Sequence, residues 1–282
     1  MGLVFVPTPL GNLRDVTLRA LDVLREAPLI VAEDSRVTRR LLSALDLGSK
    51  DVWTYQEHNA RSVTPGILER ARTETVAVVT DAGTPGISDP GSDLVAAARA
   101  AGIAVEVLPG PVAFVLAAVL SGSDVRWFRC AGFARGASGA RRAAFRAALG
   151  ETTVWYEAPH RIRASLADLA MVAPERRVFL GRELTKLYEQ HVLGTAAEVD
   201  AALEEPVRGE IVFVVEGGNV PVLADAGPSA ADLDAAIDAG LHEGLTTSAL
   251  AKRLAEAGHG ERRHLYAQVS ARKTERAGSD VE

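Results

Sequence analysis

Apolar positions along the chain follow two periods. Residues 29–32 (Leu-Ile-Val-Ala) and 75–80 (Thr-Val-Ala-Val-Val-Thr) are nearly continuous runs of β-favouring or apolar residues. That pattern belongs to strands covered on both faces. Residues 3–7 and 103–108 read the same way. Between these runs, apolar residues recur at helical spacing. In 17–27 they are Leu18, Leu21, Val23 and Leu24. Helices are also predicted over 36–45, over 93–101 (closed by Gly102) and from Val112 to Leu120. Strands alternating with helices predict a mostly parallel sheet in residues 1–120.

The texture changes after Ser121-Gly122-Ser123. Strands are predicted over 127–130, 152–157, 177–183, 187–193 and 208–216, with an Arg-rich helix before 152 and another over 160–170. The segments 177–183 and 187–193 lie close enough to pair antiparallel. Residues 121–220 therefore read as a second, mixed α/β domain. Residues 217–227 are rich in Gly with Pro221 and read as a linker. Three short helical patterns follow, 229–239, 246–257 and 261–271, in a small segment spanning 228–273. Ser229 and Thr247 suit N-capping.

Composition narrows the class. The chain has 282 residues, 48% hydrophobic and 24% charged, as expected of a globular protein with more than one core. No apolar run is long enough to span a bilayer. The opening Met1–Pro7 has no charge ahead of its apolar residues, so no secretion signal is expected. Cys130 is the only cysteine, which excludes an internal disulfide and Cys-rich metal sites and fits a reducing cytoplasm. The six histidines show no metal-ligand spacing. The formal net charge is −6, yet cations cluster. Six arginines and no acid fall between Val125 and Gly150, and seven Lys or Arg against three Glu between Ala251 and Arg276. Local basic surfaces on an acidic body are compatible with phosphate contacts.

Familiar catalytic signatures are missing: no phosphate-binding G-x-x-x-x-G-K-[ST], no G-x-G-x-x-G after a strand, no G-x-S-x-G, no H-E-x-x-H. What remains is a set of Gly/Pro/Asp loops at the ends of the predicted parallel strands: 7–12 (Pro-Thr-Pro-Leu-Gly-Asn), 32–36 (Ala-Glu-Asp-Ser-Arg), 80–91 and 108–111 (Leu-Pro-Gly-Pro). Taken singly, the first is an ordinary turn, and Asp34 or Asp89 an ordinary helix cap. The third differs. Its twelve residues hold three Gly, two Pro and two Asp, more than a strand-to-helix turn requires. Ligands in open α/β sheets bind beyond the carboxyl ends of the strands.

These loops carry a resemblance. Pro-Thr-Pro-Leu-Gly-Asn-Leu-Arg-Asp-Val-Thr-Leu-Arg-Ala (7–20), Ala-Glu-Asp-Ser-Arg (32–36), Asp-Ala-Gly-Thr-Pro-Gly-Ile-Ser-Asp-Pro-Gly (81–91) and Leu-Pro-Gly-Pro (108–111) resemble the 16S rRNA (cytidine-2′-O)-methyltransferases. So do Gly-Phe (132–133), Tyr-Glu-Ala-Pro-His-Arg (156–161), Arg-Glu-Leu-Thr-Lys (182–186) and Arg-Gly-Glu-Ile-Val (208–212). The likeness runs in order along nearly the whole chain and is weaker in the last helices. Departures are Ser35 for a usual Thr, Ala158 for a usual Ser or Thr, and Val112 for a small or polar residue.

The resemblance implies a two-domain tetrapyrrole-methylase-like (class III methyltransferase) α/β fold and S-adenosylmethionine held between the domains. Implied cofactor contacts are Pro9, Leu10, Asp81, Gly83, Ile87, Ser88, Ala113, Phe133, Glu210 and Ile211. The substrate implied is 16S rRNA in the decoding region of the small ribosomal subunit, and the assembly a cytoplasmic homodimer. A ribose hydroxyl is a poor nucleophile that benefits from a base; Asp34, Asp89 and Glu33 are the candidates. Arg36, Arg161 and Lys186 are candidate phosphate ligands. Two other readings remain: a methyltransferase of a small tetrapyrrole-like substrate on the same fold, and a non-enzymatic regulator whose last helices bind DNA.

Overall fold

Two five-stranded sheets account for the β-rich runs. The structure, a computed structural model, describes residues 1–87, 91–218, 230–256 and 262–279; for 230–232, 256, 262 and 274–279 it describes only the backbone. The chain divides into two compact units, Met1–Val220 and Pro221–Glu282. Both sheets belong to the first.

The first sheet uses β1 (Gly2–Phe5), β2 (Leu29–Ala32), β3 (Asp51–Thr54), β4 (Thr75–Val79) and β5 (Val105–Val107), in the order β3-β2-β4-β1-β5. Every pairing is parallel, as the continuous apolar runs require. Alternate residues go to opposite faces. Val4, Val6, Ile30, Ala32, Ala77 and Val79 pack with Leu24 and Leu42, from α1 (Leu18–Glu26) and α2 (Ser35–Ala44). Leu3, Phe5, Leu29, Val31, Val76 and Val78 pack with Ile67 and Leu94, from α3 (Ala60–Thr73) and α4 (Gly91–Ala100). Thr17 caps α1 by accepting from Ala20 N–H.

α5 (Ala113–Leu120) leads to the second sheet. Its strands are β6 (Phe128–Phe133), β7 (Thr152–Glu157), β8 (Arg177–Arg182), β9 (Gln190–Thr195) and β10 (Ile211–Val215), ordered β6-β7-β10-β8-β9. Only β6 and β7 pair in parallel; the rest is antiparallel. One face carries Trp155, Leu180, Ile211 and Phe213. It packs under α6 (Ser138–Ala148), α7 (Ile162–Val172) and the short α8 (Ala196–Ala201). The opposite face, Val154, Phe179, Val212 and Val214, is covered by Ala117 and Ala118 of α5. Across α6 and α7, buried Arg141 pairs with buried Asp168.

The second unit holds α9 (Ala230–His242), α10 (Thr247–Glu256) and α11 (Arg262–Ser279) around Ile237, Leu250, Leu254, Leu265 and Val269. The hydroxyl of Thr246, not Thr247, accepts from the first turn of α10 at Ala249 N–H, 3.3 Å away. Ser229, all of the expected linker beyond Gly218 and the break at 257–261 lie outside the described residues. Among the described residues no helix is long and apolar enough to cross a membrane.

Candidate active site

The carboxyl ends of β1, β2 and β4 open onto one cleft. It is closed on the other side by the ends of β6, β7 and β8 and the start of β10. The antiparallel register brings these last together, since Ile211 of β10 sits opposite both Glu157 of β7 and Arg182 of β8. The cavity measures about 390 Å³, inside the range usual for small-molecule sites.

Of the residues singled out in the sequence, Leu10, Glu33, Asp81, Gly83, Ile87, Ala113, Phe133, Glu210 and Ile211 line this cavity. Pro9 does not; it is buried. Ser88 and Asp89 lie outside the described residues. Thr80 of the third loop lines it too, as do Tyr156, Glu157, Leu184 and Val212, which the sequence did not single out. Tyr156 and Glu157 stand in the Tyr-Glu-Ala-Pro-His-Arg motif, and their position at the end of a buried strand was the available signal.

Main-chain contacts fix the loops. Thr8 and Gly83 exchange N–H···O bonds of 2.9 and 3.0 Å. Gly83 has φ +83, a backbone that side-chain-bearing residues rarely adopt. The Thr84 hydroxyl donates to Pro111 O at 3.0 Å, which ties the third loop to the fourth. The Thr80 hydroxyl donates to Glu33 Oε2 at 2.6 Å, and Asp34 N–H donates to Asp81 Oδ1 at 3.1 Å.

Among the described residues, four carboxylates line the cavity, Glu33, Asp81, Glu157 and Glu210, and no Lys or Arg does. Glu157 is buried and neutralised by Arg161, while its Oε1 accepts from Ala158 N–H at 2.9 Å. Burial raises the pKa of Asp81, and the nearby charge of Glu33 raises it further. Burial pushes the Tyr156 phenol up to about 12, so it stays protonated. Its ring lies 5.5 Å from that of Phe133, which is itself exposed at the cleft.

Asp34 has another occupation. Its carboxylate accepts from Arg36 Nε at 3.1 Å, Arg36 Nη2 at 2.7 Å and Arg36 N–H at 2.8 Å, capping α2. Those bonds from Arg36 hold its pKa at about 2, too low for an effective base near neutrality. The expected phosphate ligands are committed as well. Arg36 pairs with Asp34, Arg161 with Glu157, and Lys186 with Glu183 and Glu210. The Arg-rich stretch is partly neutralised too: Arg126, Arg129, Arg141 and Arg142 each lie within ion-pair distance of a carboxylate. Among the described residues no group of three or more His, Cys, Asp or Glu is placed to hold a metal ion.

The family model of Tetrapyrrole (Corrin/Porphyrin) Methylases matches residues 2–200, spanning both sides of the cleft. The chain belongs to this family. The methylase is 37% identical over 274 residues to the ribosomal RNA small subunit methyltransferase I of Streptococcus pyogenes serotype M1, covering 94% of this chain and 93% of that one. It is 41% identical over 224 residues to the protein of that name from Halalkalibacterium halodurans, covering 78% and 77%. Among solved structures it is similar to a uroporphyrin-III C-methyltransferase of Thermus thermophilus complexed with S-adenyl homocysteine. There the TM-score is 0.57 at 20% identity, over 77% of this chain and 97% of that one. That likeness establishes the class III methyltransferase fold.

Proposed function

We propose that this methylase transfers a methyl group from S-adenosylmethionine to the 2′-hydroxyl of a cytidine in 16S rRNA, in the decoding region of the small ribosomal subunit. The observation that carries the reading is the agreement, along almost the whole of both chains, with a ribosomal RNA small subunit methyltransferase I. A small tetrapyrrole substrate has less support, since the tetrapyrrole-methylating neighbour is only 20% identical.

The cleft suits the donor. S-adenosylmethionine carries a sulfonium and an ammonium, and a cavity whose described lining has four carboxylates and no Lys or Arg attracts cations. When bound, it supplies an electrophilic methyl group. Leu10, Gly83, Ile87, Ala113, Phe133, Glu210 and Ile211 are the residues to hold it. Their chemical contribution is alignment, because displacement at a methyl carbon needs donor and acceptor in line. Among the described carboxylates, Asp81 is the best-suited proton acceptor for the ribose hydroxyl. Its raised pKa makes it a stronger base than Asp34, and Glu33 supports it by its charge. Residues 1–120 and 121–220 serve as the two lobes of the site. The setting is a homodimer in the cytoplasm.

The test is transfer of labelled methyl from S-adenosylmethionine to small subunits of a strain lacking the enzyme, followed by digestion to nucleosides. The expected product is 2′-O-methylcytidine from 16S rRNA. Label on another nucleoside, or none, contradicts the reading.

A further inference from the structure

The turn between β8 and β9 presents two side chains that the cleft does not use. Leu187 is 87% exposed and Tyr188 72%, neither against any apolar neighbour in the cores. Single exposed apolar side chains are ordinary, but an adjacent pair held out together on a fixed backbone offers a contact site.

Here the backbone is fixed at a cost. Glu183 and Thr185 both adopt left-handed conformations, with φ 53 and 66. Such strain persists where surrounding contacts over-determine it, and it gathers at functional sites. The contacts are present. Glu183 N–H donates to Glu210 O at 2.9 Å and Glu210 N–H to Glu183 Oε1 at 2.8 Å. Lys186 Nζ donates to Glu183 Oε1 at 2.9 Å, and Thr185 N–H to Glu189 Oε2 at 2.6 Å. Asn12 N–H reaches Thr185 Oγ1 at 3.3 Å, which braces the turn against the first loop of the other sheet. Leu184, inside the strained stretch, lines the cleft. The three residues from Leu184 to Leu187 span at most about 11 Å, so the tip stands beside the cleft mouth.

We propose that Tyr188 and Leu187 form a docking tip on which an unpaired base of the substrate RNA stacks, with Arg208 taking an adjoining phosphate. The inference rests on the RNA reading above. Arg208 is exposed, has no carboxylate within ion-pair distance among the described residues, and precedes Gly209 of the cleft wall; its carbonyl accepts from Arg182 Nη1 at 3.2 Å. Tyr188 precedes Gln190 by two residues and Arg208 precedes Ile211 by three, and Gln190 and Ile211 flank Arg182 on either side, so ring and cation stand at the same end of the sheet. Aromatic rings and unpaired cations together recognise single-stranded nucleic acid. A protein partner fits less well. A stable protein interface needs about 800 Å² on each side, and an aromatic side chain supplies only about 150–250 Å².

The test compares wild type, Tyr188→Ala, Tyr188→Phe and Leu187→Ala on small subunits from a strain lacking the enzyme, with S-adenosylmethionine affinity by calorimetry and oligomeric state by sedimentation. Losing one stacked base should raise the KM for the subunit about tenfold or more in Tyr188→Ala. Tyr188→Phe should stay near wild type. Leu187→Ala should shift KM in the same direction, and cofactor affinity and oligomeric state should not change. An unchanged KM in Tyr188→Ala overturns the docking tip while leaving the function intact. A KM rise that tracks a changed oligomeric state also overturns it, assigning the tip to a second copy of the chain. Absence of rRNA methylation by the wild type itself defeats the functional reading, and the inference with it.

Discussion

Glu183 and Glu210 grip each other in both directions: the N–H of Glu183 donates to Glu210 O at 2.9 Å, and the N–H of Glu210 donates to the Glu183 carboxylate at 2.8 Å. Glu210 lines the cleft and Glu183 does not. Glu183 is therefore a positioning residue for the cleft wall. Burial alone would raise its pKa, but the Glu210 N–H and Lys186 outweigh that and lower it, so it stays ionised.

Removing that acceptor should loosen the wall. Hydrogen bonds to charged groups contribute about 1.5–3 kcal/mol, so Glu183→Ala should weaken S-adenosylmethionine binding by about tenfold to a hundredfold. Glu183→Gln keeps an acceptor oxygen and should fall between Ala and wild type. Calorimetric titration of the three proteins is the check. Equal affinities would remove Glu183 from the positioning role.

Asp81 predicts two effects of opposite sign. Loss of a general base lowers turnover about 10²–10⁴-fold, so Asp81→Asn should lose that much in kcat. Wild-type turnover should rise with pH through the Asp81 ionisation, above the ordinary Asp value of about 3.9, and the variant should lack that limb. Stability moves the other way. Because the folded-state pKa is raised, the contribution of Asp81 is complete below its unfolded pKa and is lost as pH rises through the folded value. Ionised Asp81 therefore burdens the ligand-free fold at neutrality. Asp81→Asn should raise Tm at pH 7 and leave it unchanged near pH 3, as thermal unfolding at the two pH values will show.

Gly209 is required by conformation and by space. It has φ +87, and a Cβ there would fall 2.5 Å from Glu183 Cγ. Gly209→Ala should cost about 1–2 kcal/mol from the left-handed backbone alone. It should also weaken cofactor binding by displacing Glu183. Denaturant unfolding combined with a binding titration separates the two effects.

The buried pair of Arg141 and Asp168 gives a prediction away from the cleft. Their side chains are 5% and 8% exposed, and Arg141 Nε donates to Asp168 Oδ2 at 2.8 Å. Asp168→Ala leaves the buried Arg141 charge without its carboxylate, held only by the carbonyls of Arg135, Gly136 and Ala164, and should cost about 3–5 kcal/mol. The double variant Arg141→Met/Asp168→Leu should recover much of that loss. Urea unfolding of both variants measures it.

Much of the scaffold was legible because strands buried on both faces leave apolar or β-favouring runs: Leu-Ile-Val-Ala (29–32) matches β2 residue for residue, and 152–157, rich in Thr, Val, Trp and Tyr, matches β7. β3 was missed. It is an edge strand of four residues beginning at exposed Asp51, and it has no such run. α3 was missed because Pro65-Gly66 interrupts it, which reads as a break in sequence. α8 was missed although Thr195 and Glu198 form a capping box, a signal present in the chain. Most of the cleft loops were legible from their Gly, Pro and Asp content. The partners of the charges were not. That Arg161 would face Glu157 and Lys186 would face Glu183 and Glu210 depends on packing, so cations read as phosphate ligands turned out to be ion-paired.

Hydrogen–deuterium exchange with and without S-adenosylmethionine tests most directly whether this cleft is the cofactor site. Protection on binding should concentrate in peptides covering Leu10, 80–87, 112–113, Phe133, 156–159 and 209–212, the segments that line the cavity. Protection confined to other segments, or none at saturating cofactor, would contradict the account.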